Sequence, residues 1–396
     1  MRWLIALVAL AAMATPAVAA KRVTVAQFEE ELTAASAAHK PAVEMARLIA
    51  GTELSERLSE DRAERLNAKL NAGAEVALAL ALLADRSAFL NLPASELPAM
   101  AAPDQATQLK MFDAAGVYVA QTLSRLPNFL ATRTTIHYDD SPQEVKKGAW
   151  PQRAGLHVVG RWSREISVFG EKENSGGGKD GDAWQEASGL TSWGEFGSAL
   201  GMILSDSVNG GKVGWSHWEN MPAGVAAVFQ YSVPKPASHF EVVSSFQRQA
   251  GVEGFAEREG GSRIAGIGAR PNANPGRTTT QRTKRAYRGS LWLDPATGTI
   301  LRITIEADSP ESSAFQRAAM LVQYGAVEIG GKTFICPVRS LAHSHTLLSA
   351  DASINGTASE WLNETLFTGY HRFAATTRIL TDADAATPPD GQAKPK

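Results

Sequence analysis

The spacing of apolar residues changes once along this chain, near Pro127, and that change constrains the fold more than any other feature. Upstream, apolar side chains recur at helical intervals. Phe28 and Leu32 stand at i, i+4, and Val43, Met45, Leu48 and Ile49 follow. Ala63, Leu66 and Leu70 form a third set, and Leu109, Phe112, Val117, Val119 and Leu123 a fourth. About 3.6 residues make one helical turn, so each set lies along one side of a helix. Downstream the pattern becomes alternation, which sends successive side chains of a strand to opposite faces. Leu301, Ile303 and Ile305 are predicted to point one way, and Arg302, Thr304 and Glu306 the other. These strand-like segments follow one another through turns, without the helix that a parallel crossover needs, which excludes a doubly wound nucleotide fold. The expected class is α+β: an N-terminal helical domain, then a curved, mostly antiparallel, half-barrel-like β-sheet.

The helical domain is expected over 21–127. Thr24-Val25-Ala26-Gln27 is a capping-box pattern, in which hydroxyl and amide side chain each satisfy one free backbone N–H. Pro41 suits a first helical turn and Gly51 a C-terminal cap. The stretch Glu75 to Leu90 is apolar around most of its surface, so it reads as the central helix. The β domain is expected over 128–380. Asn128 to Tyr138 reads as a strand, and Leu156 to Phe169 as a pair of strands. Phe196 to Leu204 reads as a short helix lying on the sheet. Lys212 to Glu219 and Val225 to Val233 read as a hairpin, and His239 to Phe246 as a further strand. Tyr287 to Ala307 carries a hairpin signal in Asp294-Pro295-Ala296-Thr297-Gly298-Thr299, with Gly298 free to adopt the left-handed position. Gly330-Gly331 marks another turn, and Trp361 to Thr376 a last strand. The segment 251–285, rich in Gly, Pro, Arg and Thr, reads as a mobile loop. Ser175 to Asp182 reads as a flexible loop without phosphate-loop spacing, and 381–396 as a disordered tail.

Residues 1–20 read as a cleavable secretory signal. Arg2 precedes an apolar run from Trp3 to Met13, Pro16 ends it, and Ala17-Val18-Ala19 supplies small side chains for cleavage near Ala19. The protein is therefore expected in the periplasm or cell envelope. No later segment is apolar for the ~20 residues that a membrane-crossing helix requires. Lys and Arg number 39 against 41 Asp and Glu, which gives no field to draw in nucleic acid. The single cysteine, Cys336, allows no internal disulfide and sits in an apolar run as a buried small hydrophobe.

The segment Arg288-Gly-Ser-Leu-Trp-Leu-Asp-Pro-Ala-Thr-Gly-Thr-Ile-Leu-Arg302, followed by Val322-Gln-Tyr324 and Val327-Glu-Ile-Gly-Gly-Lys-Thr-Phe334, resembles the second half of the periplasmic lipoprotein carriers of the Lol type. The resemblance extends over about 129–378. It implies an antiparallel half-barrel whose concave apolar side holds acyl chains, and it implies no catalytic residue.

Chemical motifs are sparse. His343-Ser344-His345 places two imidazoles on one strand face, with His371 a third candidate, but no carboxylate or cysteine stands at ligand spacing in the sequence. It is read as a solvated strand face, with no metal. Gly214-Trp215-Ser216-His217-Trp218 lacks the second glycine of a nucleophile elbow, and adjacent residues of a strand point opposite ways. Arg277, Arg282, Lys284, Arg285 and Arg288 read as a solvated basic loop. The chain is therefore expected to be non-enzymatic and to need no cofactor. Large aromatic residues concentrate in the second half, and a lipid or other hydrophobic ligand is expected against Trp215, Phe229, Tyr231, Trp292 and Ile303. The alternative is an envelope protein-interaction module with no small-molecule ligand, docked through its helical part.

Overall fold

The computed structural model describes residues 22–123, 125–140, 155–169, 172–175, 192, 194–247, 278–309, 315–346 and 359–373. The expected leader at 1–20, the expected tail at 381–396, the expected loops at 176–182 and 251–277, and Trp150, Trp184 and Trp193 lie outside them.

The N-terminal part contains α1 (Val25–Ala37), α2 (Ala42–Ala50), α3 (Glu60–Leu70) and α4 (Ala74–Ser87). A short parallel ladder joins β1 (Arg22–Val23) to β2 (Glu53–Leu54). The capping box forms: the Gln27 N–H donates to Thr24 Oγ1 at 3.2 Å, and the Thr24 N–H donates to Gln27 Oε1 at 3.0 Å. Arg62 on α3 holds Glu29 of α1 at 2.6 Å and Glu96 at 2.7 Å. The four helices enclose their own apolar core. Val25, Phe28, Leu32, Ile49, Val76 and Leu80 are buried there, each worth roughly 1.5–3 kcal/mol relative to exposure.

The second part is an antiparallel sheet of ten strands. They are β3 (Phe129–Asp139), β4 (His157–Phe169), β5 (Lys172–Ser175), β6 (Lys212–Met221) and β7 (Gly224–Val233), then β10 (Tyr287–Leu293), β11 (Ile300–Ala307), β12 (Phe315–Ile329), β13 (Lys332–Thr346) and β14 (Ser359–Arg372). The spatial order is β5-β4-β3-β14-β13-β12-β11-β10-β7-β6. First and last strands of the β region thus meet in the middle, where β14 pairs with β3. The outer strands β5 and β6 do not pair with each other, so the sheet is not a closed barrel. A separate hairpin, β8 (Glu241–Gln247) with β9 (Thr278–Lys284), stands between β7 and β10 in the chain. The remaining helices are α5 (Gln105–Leu123) and α6 (Ser198–Val208).

Several elements differ from the sequence expectation. Residues 156–169 hold one strand, β4, rather than two. The end of the expected mobile loop is strand β9, paired with β8 from Thr278↔Gln247 to Lys284↔Glu241. Its Thr-rich run favours extended backbone, a preference hidden by the Gly- and Pro-rich residues before it. The pairing of β10 with β11 is irregular after Trp292, which joins Trp292 to Arg302 and Leu293 to Ile300. The extra residue, Leu301, packs on the face of Trp292, away from Ile303 and Ile305. A bulge of this kind breaks the period of two.

The two faces of the sheet carry different loads. On one, α5 and α6 lie over β6, β7, β10, β11 and β12. Ala115, Val119, Leu200 and Ile203 pack there against Phe229, Tyr231, Leu291 and Ile303. So α5, expected in the helical domain, is part of the sheet's core. On the other face sits the α1–α4 domain, with Leu82 of α4 against Tyr138 and Leu362.

Candidate functional site

Strand parity sorts the five expected ligand-binding residues. Phe229 faces Leu291, and Leu291 faces Ile303, across β7, β10 and β11. Phe229, Tyr231 and Ile303 therefore share the face under α5 and α6, where they are 3%, 3% and 0% exposed. Phe112 of α5 has its ring 6.1 Å from that of Phe229. Trp215 stands edge-on to Phe229 at 5.6 Å and to Trp218 at 4.8 Å. The Tyr231 hydroxyl donates to the Thr304 carbonyl at 2.7 Å. The four residues are brought together, and the chain's own helices cover them. A cavity of about 20 Å³ under α5 and α6 is lined by Tyr118, Phe196, Leu200, Tyr324 and Cys336, and by none of the four. That is room for about one water.

Trp292 lies on the opposite face. It pairs with Val228 and Arg302, one step out of phase with Leu291. The guanidiniums of Arg57 and Arg302 lie 5.6 Å and 5.4 Å from the centre of its ring.

Beside Trp292 a polar chain runs along β6. The pairing with β7 shifts between Trp215 and His217, so Ser216 is a bulge residue. Its Oγ comes within 2.8 Å of His217 Nδ1, which corrects the expectation that the two point apart. His217 Nε2 is 3.4 Å from Glu219 Oε2. In a serine–histidine–acid relay the acid holds the imidazole oriented for the hydroxyl. Here the acid is engaged elsewhere: Arg57 lies 2.6 Å and Arg302 3.6 Å from the Glu219 carboxylate. Burial pushes that carboxyl up, but His217, Arg57 and Arg302 outweigh it and hold it at about 2. The arrangement is a buried ion cluster between domain and sheet.

The His343-Ser344-His345 pair gains a neighbour that the sequence did not show. Across β13 and β14, His345 faces Glu360. Burial pushes the His343 imidazole down to about 4, against the upward pull of Glu360. His371 is at the other end of β14, opposite Leu130 of β3. Cys336 is buried among Phe129, Val168 and Phe367, and burial pushes its thiol up to about 12. Of the basic cluster, Arg282 and Lys284 lie on β9 and Arg288 on β10. Arg288 pairs with Glu306 and, at 3.3 Å, with Asp308. Arg277 lies outside the described residues.

No protein-family model, curated protein or solved structure matches this chain.

Among the described residues, charged side chains gather at the seam where the helical domain meets the sheet. Arg339 on β13 holds Asp85 of α4 at 2.6 Å, Glu364 of β14 at 2.7 Å and Glu60 of α3 at 3.2 Å. Burial pushes Asp85 up to about 6, although Arg339 pulls it down. Gln323 of β12 donates to Glu60 at 3.0 Å, and Arg86 of α4 reaches Glu360 at 2.8 Å. With Arg57 and Glu219, these contacts make the seam ionic along much of its length. Polar seams of this kind join bodies that each fold around a core of their own.

Proposed function

We propose that this chain is a non-catalytic protein of the cell envelope whose helical domain, α1–α4, docks a protein partner. The observation that carries this reading is the filled face of the sheet. Ligand pockets for drug-sized molecules run to ~300–1,000 Å³, whereas Phe229, Tyr231 and Ile303 are 3%, 3% and 0% exposed beneath α5 and α6. A hydrophobic ligand reaches those residues only where α5 leaves the sheet. The helical domain, by contrast, has a complete core of its own, and its outer surface exposes Val43 at 53% and Leu78 at 44%. Covering such side chains with a partner removes their apolar surface from water. Among the described residues no helix is long and apolar enough to cross a membrane.

The test uses the full chain in the cells that produce it. A photo-crosslinking residue at Leu78 is expected to give an adduct of discrete mass, and the same residue at Val225 on β7 is expected to give none. In parallel, solvent extraction of the native protein and mass spectrometry are expected to release no stoichiometric lipid. A stoichiometric lipid, with no adduct at Leu78, overturns the proposal and favours the hydrophobic-ligand reading.

A further inference from the structure

We propose that His343, His345 and Glu360 form a binding site for a divalent transition-metal ion, zinc above all, on the sheet face that meets α4. Both histidines are on β13 two residues apart, so their rings leave the same face. Glu360 lies directly across from His345 on β14 and joins that face. One ligand atom from each residue fits within a 4.8 Å group. Glu360 Oε1 is 2.9 Å from His343 Nε2 and 3.7 Å from His345 Nε2. Ligand atoms around a tetrahedral zinc, bound at ~2.0–2.1 Å, lie roughly 3.4 Å apart. The two separations straddle that value, and the separation of the two imidazole nitrogens is within 4.8 Å.

The donor set selects the ion. Two imidazoles and one carboxylate suit zinc and its neighbours in the first transition row, whereas calcium and magnesium take oxygen ligands. Three protein ligands leave a fourth position for water. His345 Nε2 is itself buried, with no hydrogen bond of normal length and Glu360 Oε1 3.7 Å away. An imidazole nitrogen turned inward without a partner is costly unless something binds it.

The surroundings both orient and limit the site. Arg86 Nε donates to Glu360 Oε1 at 2.8 Å, and its Nη1 donates to the Ala50 carbonyl at 3.0 Å. That Oε1 is also the oxygen that faces both imidazoles, so the arginine fixes the carboxylate and must share that oxygen with a bound ion. Phe89 stacks on the His343 ring at 6.2 Å and closes one side. Two features lower the affinity. The positive charge of Arg86 opposes the ion, and His343 Nδ1 has no partner for the proton it must carry once Nε2 binds metal.

The experiment is a competition between the untagged full chain and a weak chromophoric zinc chelator. One zinc per chain is expected, with a loss of at least tenfold in affinity for His345→Ala and for Glu360→Gln, and no change for His371→Ala. Cobalt(II) provides a readout on the unmutated protein, an intense visible band of a four-coordinate site that zinc abolishes. No zinc uptake by the unmutated chain, uptake unchanged in a folded His345→Ala protein, or cobalt bound without that band would overturn the assignment.

Discussion

Glu219 shows what one buried carboxylate controls. Its side chain is 4% exposed and faces Arg57, itself 6% exposed, and Arg302. Its folded-state value of about 2 lies below the ordinary 4.5. The resulting stabilisation is complete above the ordinary value and is lost as pH falls through 4.5 towards 2. A difference of that size is on the order of 3 kcal/mol. Chemical denaturation at a series of pH values should show this loss, and Glu219→Gln should flatten the curve in that window. The same substitution leaves two guanidiniums poorly paired, at a cost of about 3–5 kcal/mol at neutral pH. Cys336 offers a second check. With its thiol held at about 12 by burial, it should resist a thiol reagent at pH 8 in the native protein and react at once in denaturant. Fast native labelling would contradict its place in the core.

At the scale of elements, the Asp294–Thr299 turn and α5 are fitted to each other. Gly298 has φ +72°, and a Cβ there would lie 2.4 Å from the Ala114 carbonyl carbon. Two separate constraints therefore exclude a side chain: a left-handed backbone and a backbone neighbour that cannot give way. Gly298→Ala should cost roughly 2–5 kcal/mol, combining the left-handed penalty with overpacking, as read by urea denaturation. It should also lift α5 from the sheet. That gives a specific expectation for the proposed function: uptake of a fluorescent fatty acid should stay absent in the variant. Saturable uptake that appears only when α5 is displaced would instead show that this helix occupies a ligand's place.

At the scale of the whole molecule, a helical body with its own core is fastened to a sheet largely by ion pairs. Arg339 is the central fastener because it binds α3, α4 and β14 together. Arg339→Leu removes the partner of the buried Asp85 and should cost about 3–5 kcal/mol. The loss should fall on docking more than on either core. Hydrogen exchange is expected to rise in α4 and on the adjoining face of β13 and β14, while Phe28 and Leu32 of the helical core stay protected. Uniform loosening of both bodies would mean that they fold as one.

The sequence by itself determined the local features. Helical spacing before Pro127, alternation after it, the Thr24–Gln27 cap and the Asp294–Thr299 and Gly330–Gly331 turns each depend on a few adjacent residues. Backbone preference and side-chain period act over that same range. They were enough to give an α+β chain with an antiparallel sheet. Tertiary structure decided what faces what. The bulges at Ser216 and Leu301 reverse side chains locally, and no period announces them. The seat of α5 on the sheet and the meeting of β14 with β3 depend on which surfaces are left to bury once the whole chain collapses. Glu360 stands beside His345 only because two strands pair in one register, and Arg57 finds Glu219 only because a separate domain docks there. Contacts between residues distant in the chain follow from three-dimensional closure, which neighbouring residues do not encode.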